Sequence, residues 1–156
     1  MPFEGLQIAI KSGMQIKHIM TKHVESLSNK MTLAQAAEMM KQHDIGALPV
    51  CEGGRPVGMV TDRDIVIGAL AQGLDPKTTL VIHAMSSPAV CCFDDQDIND
   101  AAQLMESKQI RRIVVLDRNK NIVGILTLGD LSTHAIERDL PGEILASVSR
   151  HGKLAA

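Results

Sequence analysis

Aromatic side chains are almost absent from this chain of 156 residues, which has no Trp, no Tyr and two Phe. Proteins that hold single-stranded nucleic acid without sequence preference stack its bases on aromatic rings. The formal net charge of −2 also provides no basic surface for a polyanion such as DNA. We therefore expect no nucleic acid among the partners of this protein.

Long apolar runs are also missing. No stretch approaches the roughly 18 consecutive apolar residues that a membrane-spanning helix requires. Residues 1–11 lack the basic start and apolar stretch of a secretory signal. With 45% hydrophobic and 22% charged residues, the composition is typical of a soluble globular protein. We therefore predict a cytoplasmic protein without a membrane partner.

Cysteine and histidine form no recognisable site. Cys51, Cys91 and Cys92 are odd in number and two of them are adjacent, which makes a poor disulfide framework. Each belongs to an apolar, strand-like segment, so we interpret them as packing residues, and a redox role for the exposed member of the adjacent pair stays open. The six histidines show no metal-ligand spacing, and no acid–base pair or nucleophile motif is present. The sequence thus predicts no metal site, no catalytic residue and no enzyme activity.

What the sequence does contain is an internal repeat. The segment Gly58–Asp64 (GMVTDRD) recurs as Gly124–Asp130 (GILTLGD), and apolar positions upstream recur at an offset of 65 residues. The offset becomes 66 at Gly58 because one residue is inserted in the polar loop of the second copy. A copy of about 60 residues would be marginally stable alone, so the two copies are expected to share one packed structure.

Each copy follows the order strand, helix, strand, strand, helix. In the first copy Thr32, with a glutamine three residues later, opens a helix, Gly53 and Gly54 turn a hairpin, and Gly73 ends the second helix. Pro49 indicates that the first hairpin strand lies at a sheet edge or carries a bulge. The predicted strands are residues 24–28, 45–51, 57–61, 89–93, 110–116 and 122–127. The predicted helices are a helix that begins at 32, and residues 62–72, 97–108 and 129–138.

The domain boundaries follow from the repeat and from the Gly- and Pro-marked segment between its copies. Because that segment is short, the two halves must pack against each other. The order of the chain termini is left open. We predict an N-terminal extension at 1–13, a first domain at 14–73, a linker at 74–79, a second domain at 80–138 and a C-terminal tail at 139–156.

The motif Gly-x-x-Thr-x-x-Asp, preceded by residues 43–50 (HDIGALPV) and 108–115 (KQIRRIVV), resembles the tandem CBS (cystathionine-β-synthase-like) domain pair. The run Thr61–Ile67 (TDRDIVI) is similar to that of stand-alone bacterial members, including the hypoxic-response type. The resemblance implies an α/β (α+β) fold of two β-α-β-β-α repeats packed about a pseudo-two-fold axis. It also implies a regulatory, non-catalytic module whose clefts hold AMP, ADP, ATP, NAD or S-adenosylmethionine as regulatory ligands rather than required cofactors.

The resemblance assigns roles to the repeated motif. Asp64 and Asp130 match the aspartate that accepts hydrogen bonds from the ribose hydroxyls, and Thr61 and Thr127 match the hydroxyl that faces the phosphates. A simpler interpretation stays open, in which the threonines are helix caps and the aspartates first-turn acids.

Arg111 and Arg112 match the place where relatives keep basic residues for phosphate, and a guanidinium fork suits that ligand. The alternative is a pair of solvated charges that protect a strand edge. The first copy has Gly46 and Ala47 there instead, with Arg63 nearby, so we expect two inequivalent clefts.

Adenine has to be held without ring stacking, by aliphatic and backbone groups at Ile45, Gly46, Met59 and Ile125. Two functional classes remain: an adenine-nucleotide sensor, or a dimeric interaction module with vestigial or non-nucleotide clefts. In either class the effector protein is unknown. We expect a homodimer formed by apolar residues on the helices that follow the motifs: Ile65, Ile67, Leu70, Leu131 and Ile136.

Overall fold

The computed structural model describes residues 13–137 and confirms the predicted α/β fold. Each half has the order strand, helix, strand, strand, helix, and one extra short strand comes first. The strands and helices are β1 Thr21–Lys22, β2 Leu27–Ser28, α1 Leu33–His43, β3 Ala47–Glu52, β4 Arg55–Thr61, α2 Asp62–Gly68, β5 Cys91–Phe93, α3 Ile98–Lys108, β6 Arg112–Leu116, β7 Ile122–Thr127 and α4 Leu128–Glu137. Short 3₁₀ turns cover Ile16–His18, Leu70–Gln72 and Val81–His83.

The first helix of each half begins at the predicted cap. Thr32 Oγ1 accepts a hydrogen bond from the Gln35 N–H at 3.3 Å, and Gln35 Oε1 accepts one from the Thr32 N–H at 2.9 Å. The carboxylate of Asp97 caps α3 by accepting from a first-turn N–H at 2.8 Å. Both helices end at a left-handed residue, Asp44 with φ 51° and Gln109 with φ 53°. Neither stop is a glycine. The end of α1 was not predicted, whereas α3 ends at Lys108 as predicted.

Several predicted elements are longer than the observed ones. The strands predicted at 24–28 and 89–93 shorten to Leu27–Ser28 and Cys91–Phe93, because the residues before them face a cavity instead of a neighbouring strand. The helix predicted at 62–72 is split into α2 and a 3₁₀ turn, and Gly73 ends it with φ 77° as predicted. Residues 1–12 and 138–156, which hold most of the predicted extension and the tail, lie outside the described part of the chain.

Each half contributes one sheet. The first has strand order β2-β3-β4, and the second has order β1-β7-β6-β5. The hairpins β3–β4 and β6–β7 are antiparallel, and β2 and β5 add in parallel to β3 and β6. Strand β1, which comes first in the chain, pairs antiparallel with β7 of the second half. Strand β1 thus belongs structurally to the second sheet although it precedes the first copy's own strands.

Pro49 lies in β3, the middle strand of its sheet, yet its missing N–H removes no ladder bond. Strand β2 pairs only with Val50 and Cys51, so β3 is open on that side at Pro49, and the register of the β3–β4 pair shifts between Val50 and Cys51. On its other side Pro49 faces Met59, whose N–H and C=O both bond to Ser86 across the far edge of the sheet. Pro49 therefore sits at a position whose N–H would point away from β4.

Each of the two hydrophobic cores contains a segment from the other copy of the repeat. Val81 is fully buried in the core of the first half, and Ile16 is fully buried in the core of the second. Segment 81–85 and segment 14–20 therefore each pack on the opposite copy from the one to which the sequence assigns them. This exchange ties the halves together, and Arg55 adds a contact by donating to the carbonyls of Asn119 and Lys120 at 3.1 and 2.8 Å.

The glycine that opens each repeated motif allows this exchange. A Cβ on Gly58 would lie 2.5 Å from the Ser86 carbonyl oxygen, and a Cβ on Gly124 would lie 2.7 Å from that of Thr21. Real side chains do not tolerate such distances to backbone atoms. Glycine is therefore required at both positions so that the exchanged segment can lie directly against the strand.

Candidate functional site

The repeated motif places a threonine and an aspartate at the junction of strand and helix in both halves. Thr61 N–H donates to Asp64 Oδ2 at 2.9 Å, and Asp64 N–H donates to Thr61 Oγ1 at 3.1 Å. Thr127 and Asp130 repeat this arrangement at 2.8 and 3.1 Å. The aspartates and threonines thus have the capping role of the simpler interpretation. A role of either aspartate toward ribose stays a prediction, and neither lines the cavities described next.

A cavity of about 500 Å³ lies at the end of the first motif, and both halves line it. The first half contributes Met59, Thr61, Asp62 and Arg63. The second copy contributes Ser86, Pro88, Ala89 and Val90, which precede β5, and Ile110, Arg111, Arg112 and Val114 around the start of β6. We call this cavity the arginine cleft, because three of its lining residues are arginines.

A second cavity, of about 320 Å³, lies at the end of the second motif. The second half contributes Ile125 and Thr127 together with Arg112. The remaining lining residues come from the N-terminal part of the chain and from the first half: Thr21, His23, Val24, Glu25, His43, Ile45, Gly46 and Ala47. We call this cavity the histidine cleft. A third depression, lined by Arg111, Arg112 and the start of α4, lies beside Thr127.

The two clefts are assembled crosswise from the two copies, and which residues of each copy meet was not predicted from the sequence. In the structure Arg111 and Arg112 line the arginine cleft opposite Thr61 of the other copy, and they also line the third depression with Thr127 of their own copy. Thr127 shares the histidine cleft with Arg112 and with Ile45 and Gly46 of the first copy. The reason is the sheet arrangement, since each motif ends a strand whose outer side faces the other half.

Nine of the eleven predicted site residues line the two clefts. Met59, Thr61, Arg63 and Arg111 belong to the arginine cleft. Ile45, Gly46, Ile125 and Thr127 belong to the histidine cleft, and Arg112 belongs to both. The two that line neither are Asp64 and Asp130.

Glu25, His23 and His43 line the histidine cleft but were not predicted as site residues. Asp62 and Val90 in the arginine cleft were not predicted either. The repeat carried a usable signal for one pair, because the offset of 65 residues aligns Glu25 with Val90. Once Glu25 or Val90 is placed at a cleft, the other follows.

Charge distinguishes the two clefts. The arginine cleft holds three arginines and one carboxylate, that of Asp62, and is therefore net positive. In the histidine cleft Arg112 is balanced by Glu25, and the two histidines add charge only when protonated. All three arginines are exposed, so their guanidinium groups are accessible to a ligand.

Gly46 and Asp62 bring the linings of the two clefts into contact. The Asp62 N–H donates to the Gly46 carbonyl oxygen at 3.0 Å, and a Cβ on Gly46 would lie 2.9 Å from Asp62 Oδ2. Gly46 lines the histidine cleft and Asp62 the arginine cleft. Any larger residue at position 46 would therefore push against the opposite cleft.

The cysteines are packing residues in the described structure. Burial is the main cause that raises the pKa of the Cys92 thiol, to about 12, and it also raises the pKa of Cys51 and Cys91. Raised pKa values disfavour the reactive thiolate at neutral pH. Within residues 13–137 no three His, Cys, Asp or Glu side chains are grouped so as to hold a metal ion. The same part of the chain contains no helix long and apolar enough to cross a membrane.

Comparison with known proteins identifies the repeated unit. The family described as "CBS domain" matches residues 16–69 and again residues 81–137. The CBS domain-containing protein YhcV of Bacillus subtilis is 42% identical over 134 residues, which cover 86% of this chain and 94% of that protein. Hypoxic response protein 1 of Mycobacterium tuberculosis is 38% identical over 122 residues, which cover 78% of this chain and 85% of that protein.

Two crystal structures are similar in fold as well. Hypoxic Response Protein I with two coordinated zinc ions has a TM-score of 0.68 and 38% identity, covering 78% of this chain and 98% of that one. The CBS domain pair of protein MJ0100, in complex with 5′-methylthioadenosine and S-adenosyl-L-methionine, has a TM-score of 0.71 and 25% identity, covering 80% and 98%. The chain described here belongs to the CBS domain family and carries two CBS domains in tandem.

Proposed function

We propose that this protein is a non-catalytic regulatory module that binds adenosine-containing ligands in the clefts between its two CBS domains. The observation that carries this proposal is the convergence of Arg63, Arg111 and Arg112 with the Thr61 hydroxyl on one cavity. The CBS domain pair of MJ0100, which binds two adenosine derivatives, supports the same class of ligand. We expect the phosphorylated ligands AMP, ADP, ATP or NAD in the arginine cleft.

The arginine cleft suits such a ligand in size and in chemistry. Its volume of about 500 Å³ falls within the roughly 300–1,000 Å³ of typical small-molecule sites. Guanidinium groups bind phosphate oxygens bidentately, and the apolar side chains of Met59, Val90 and Ile110 provide a surface for the adenine. S-adenosylmethionine has no phosphate and fits the neutral histidine cleft better.

Thermal unfolding with added ligand tests the proposal. A ligand that binds only the folded state raises stability by about 2.7 kcal/mol at a hundredfold excess over its dissociation constant. We therefore expect the melting temperature to rise with at least one of AMP, ADP, ATP, NAD and S-adenosylmethionine at millimolar concentration. If none of these ligands shifts the melting temperature, the sensor function fails and the interaction-module alternative takes its place.

We also propose that the protein is a homodimer, and an exposed apolar surface supports this. Val66, Ile67 and Leu70 on and after α2 are 51%, 53% and 48% exposed, which is unusual for aliphatic residues so close together. Two of the residues expected there, Ile65 and Leu131, are instead buried in the cores of their own halves. Ile136 has no described side chain. The proposed interface is therefore narrower than the sequence indicated and centres on α2.

Sedimentation at micromolar concentration tests the dimer. Ile67→Glu is the disruptive variant, and Glu38→Gln, at an exposed position of α1, is the control. We expect a species of twice the 16.8 kDa chain mass for the parent and control, and a single chain for Ile67→Glu. A parent that sediments as a single chain would remove the homodimer from the proposal. The effector protein and the cytoplasmic location also remain predictions.

A further inference from the structure

Arg112 is the one residue, among those that the structure describes, that lines both the arginine cleft and the histidine cleft. We propose that Arg112 couples the two clefts, so that a phosphorylated ligand in one weakens the binding of a phosphorylated ligand in the other. This inference rests on the proposed function, because it requires that phosphorylated adenosine derivatives bind.

The position of Arg112 explains how one side chain can serve two cavities. It is the first residue of β6 and is exposed, and it pairs with Thr127 at the end of β7. Thr127 lines the histidine cleft, whereas the neighbouring Arg111 lines the arginine cleft. Gly46 of the histidine cleft and Asp62 of the arginine cleft are joined by a backbone hydrogen bond of 3.0 Å, so the linings of the two clefts are in contact. Arg112 therefore stands at the boundary between the two cavities.

The physical basis of the coupling is that a guanidinium has one planar fork. It can bind one phosphate bidentately, and turning toward one cleft withdraws its donors from the other. The arginine cleft then still has Arg63 and Arg111, whereas the histidine cleft loses the sole arginine among its lining residues and keeps the opposing charge of Glu25. Because coupling between binding sites is reciprocal, the penalty is the same whichever cleft is filled first.

The repeat supplies a matched pair of blocking variants for the test. Ala89 lines only the arginine cleft and Val24 only the histidine cleft, and the offset of 65 residues makes them counterparts. Ala89→Trp leaves the histidine cleft open, and Val24→Trp leaves the arginine cleft open. Calorimetric titration of each variant with ADP measures one cleft alone, and titration of the parent measures both together. Circular dichroism melting checks that each variant is folded.

The parent has two stepwise dissociation constants, and each blocking variant has one. If the clefts are independent, the product of the two constants of the parent equals the product of the constants of the two variants. We expect the product in the parent to be larger by roughly fivefold or more, the range of typical coupling between sites. Adenosine has no phosphate, so for adenosine the product in the parent should agree within about twofold with the product from the two blocking variants. This comparison needs no arginine variant.

Arg112→Ala, combined with each blocking variant, should abolish the difference for ADP. Arg111→Ala is the matched control, since it removes the adjacent guanidinium but leaves Arg112, and it should weaken ADP in the arginine cleft while the coupling persists. Equal products for ADP in the parent, coupling that survives Arg112→Ala, equal coupling for adenosine, or ADP binding to one cleft only would each overturn the inference. If no nucleotide binds the parent, the proposed function itself fails.

Discussion

The two clefts occupy equivalent places in the repeat yet differ in most of their charged residues. Thr61 corresponds to Thr127 and Met59 to Ile125, so the strand–helix junction is the same in both. The positions of Arg111 and Arg112, however, are taken by Gly46 and Ala47 in the other copy. The difference teaches that the repeat preserves the residues that build the junction and varies most of the charged residues that line the clefts.

Energetic demands explain which positions are preserved. The threonine and aspartate of each motif form the same capping box, with the aspartate N–H donating to the threonine at 3.1 Å in both halves. Glycine at 58 and 124 is required by the backbone oxygen that lies against it. Position 25 carries an exposed Glu, whereas its counterpart Val90 is half-buried, packs against the second core and accepts a hydrogen bond from the Val114 N–H at 3.0 Å. The side chain at position 25 could therefore diverge without loss of the fold.

Substitution of Gly58 and Gly124 is the strongest test of whether the two strand–helix junctions are built in the same way. Gly58→Ala and Gly124→Ala each force a Cβ against a backbone oxygen, so both should lower the free energy of unfolding by about 1–3 kcal/mol. Chemical denaturation measures the change. Gly68→Ala on α2 is the control, since nothing lies within 4 Å of its added Cβ and it should be neutral or stabilising. A large effect at one motif glycine and none at the other would break the comparison.

The capping boxes should show a smaller but equal effect. Thr61→Ala and Thr127→Ala each remove the hydroxyl that accepts the aspartate N–H, and loss of such a cap costs about 1 kcal/mol. The serine variants retain the hydroxyl and serve as controls. Urea unfolding of the four variants tests the prediction, and a serine variant as unstable as its alanine counterpart would contradict the capping explanation.

Glu25→Val would make the histidine cleft resemble the arginine cleft, because Val90 is the counterpart of Glu25. Removing the carboxylate should strengthen ADP binding in that cleft by about two- to fivefold, the size of an exposed charge interaction. Titration in the Ala89→Trp background isolates the effect. Glu52→Val, at an exposed position that lines neither cleft, should leave ADP binding unchanged.

The smallest expected difference concerns the caps of α1 and α3. The backbone hydrogen bond from Asn99, followed by that from Gly13, lowers the pKa of Asp97. A lowered folded-state pKa contributes stability above the unfolded pKa, and that stability is lost as the pH falls through the folded value. Stability should therefore decline less steeply below about pH 3.9 in Asp97→Asn than in the parent. Thr32→Asn, on the cap that does not titrate, should leave the slope unchanged.

The element order could be predicted from the sequence, and most of the predicted site residues line one of the clefts, because local patterns determine them. Thr32 and Asp97 marked helix starts, and the repeated motif located two strand–helix junctions. The crosswise grouping could not be predicted, since spacing within one copy does not say which copy faces it. Burial of Ile16 and Val81 in opposite halves depends on tertiary packing alone. Glu25 was missed because a predicted strand covered it.

The central claim is that the arginine cleft binds the phosphates of an adenosine ligand, and calorimetric titration of the parent and Arg111→Ala with ADP and adenosine tests it most directly. A charge-assisted hydrogen bond contributes about 1.5–3 kcal/mol, so Arg111→Ala should weaken ADP binding by roughly tenfold or more. Adenosine binding should stay within about twofold of the parent, since adenosine has no phosphate for Arg111 to contact. Equal losses for both ligands, or no ADP binding to the parent, would contradict the account.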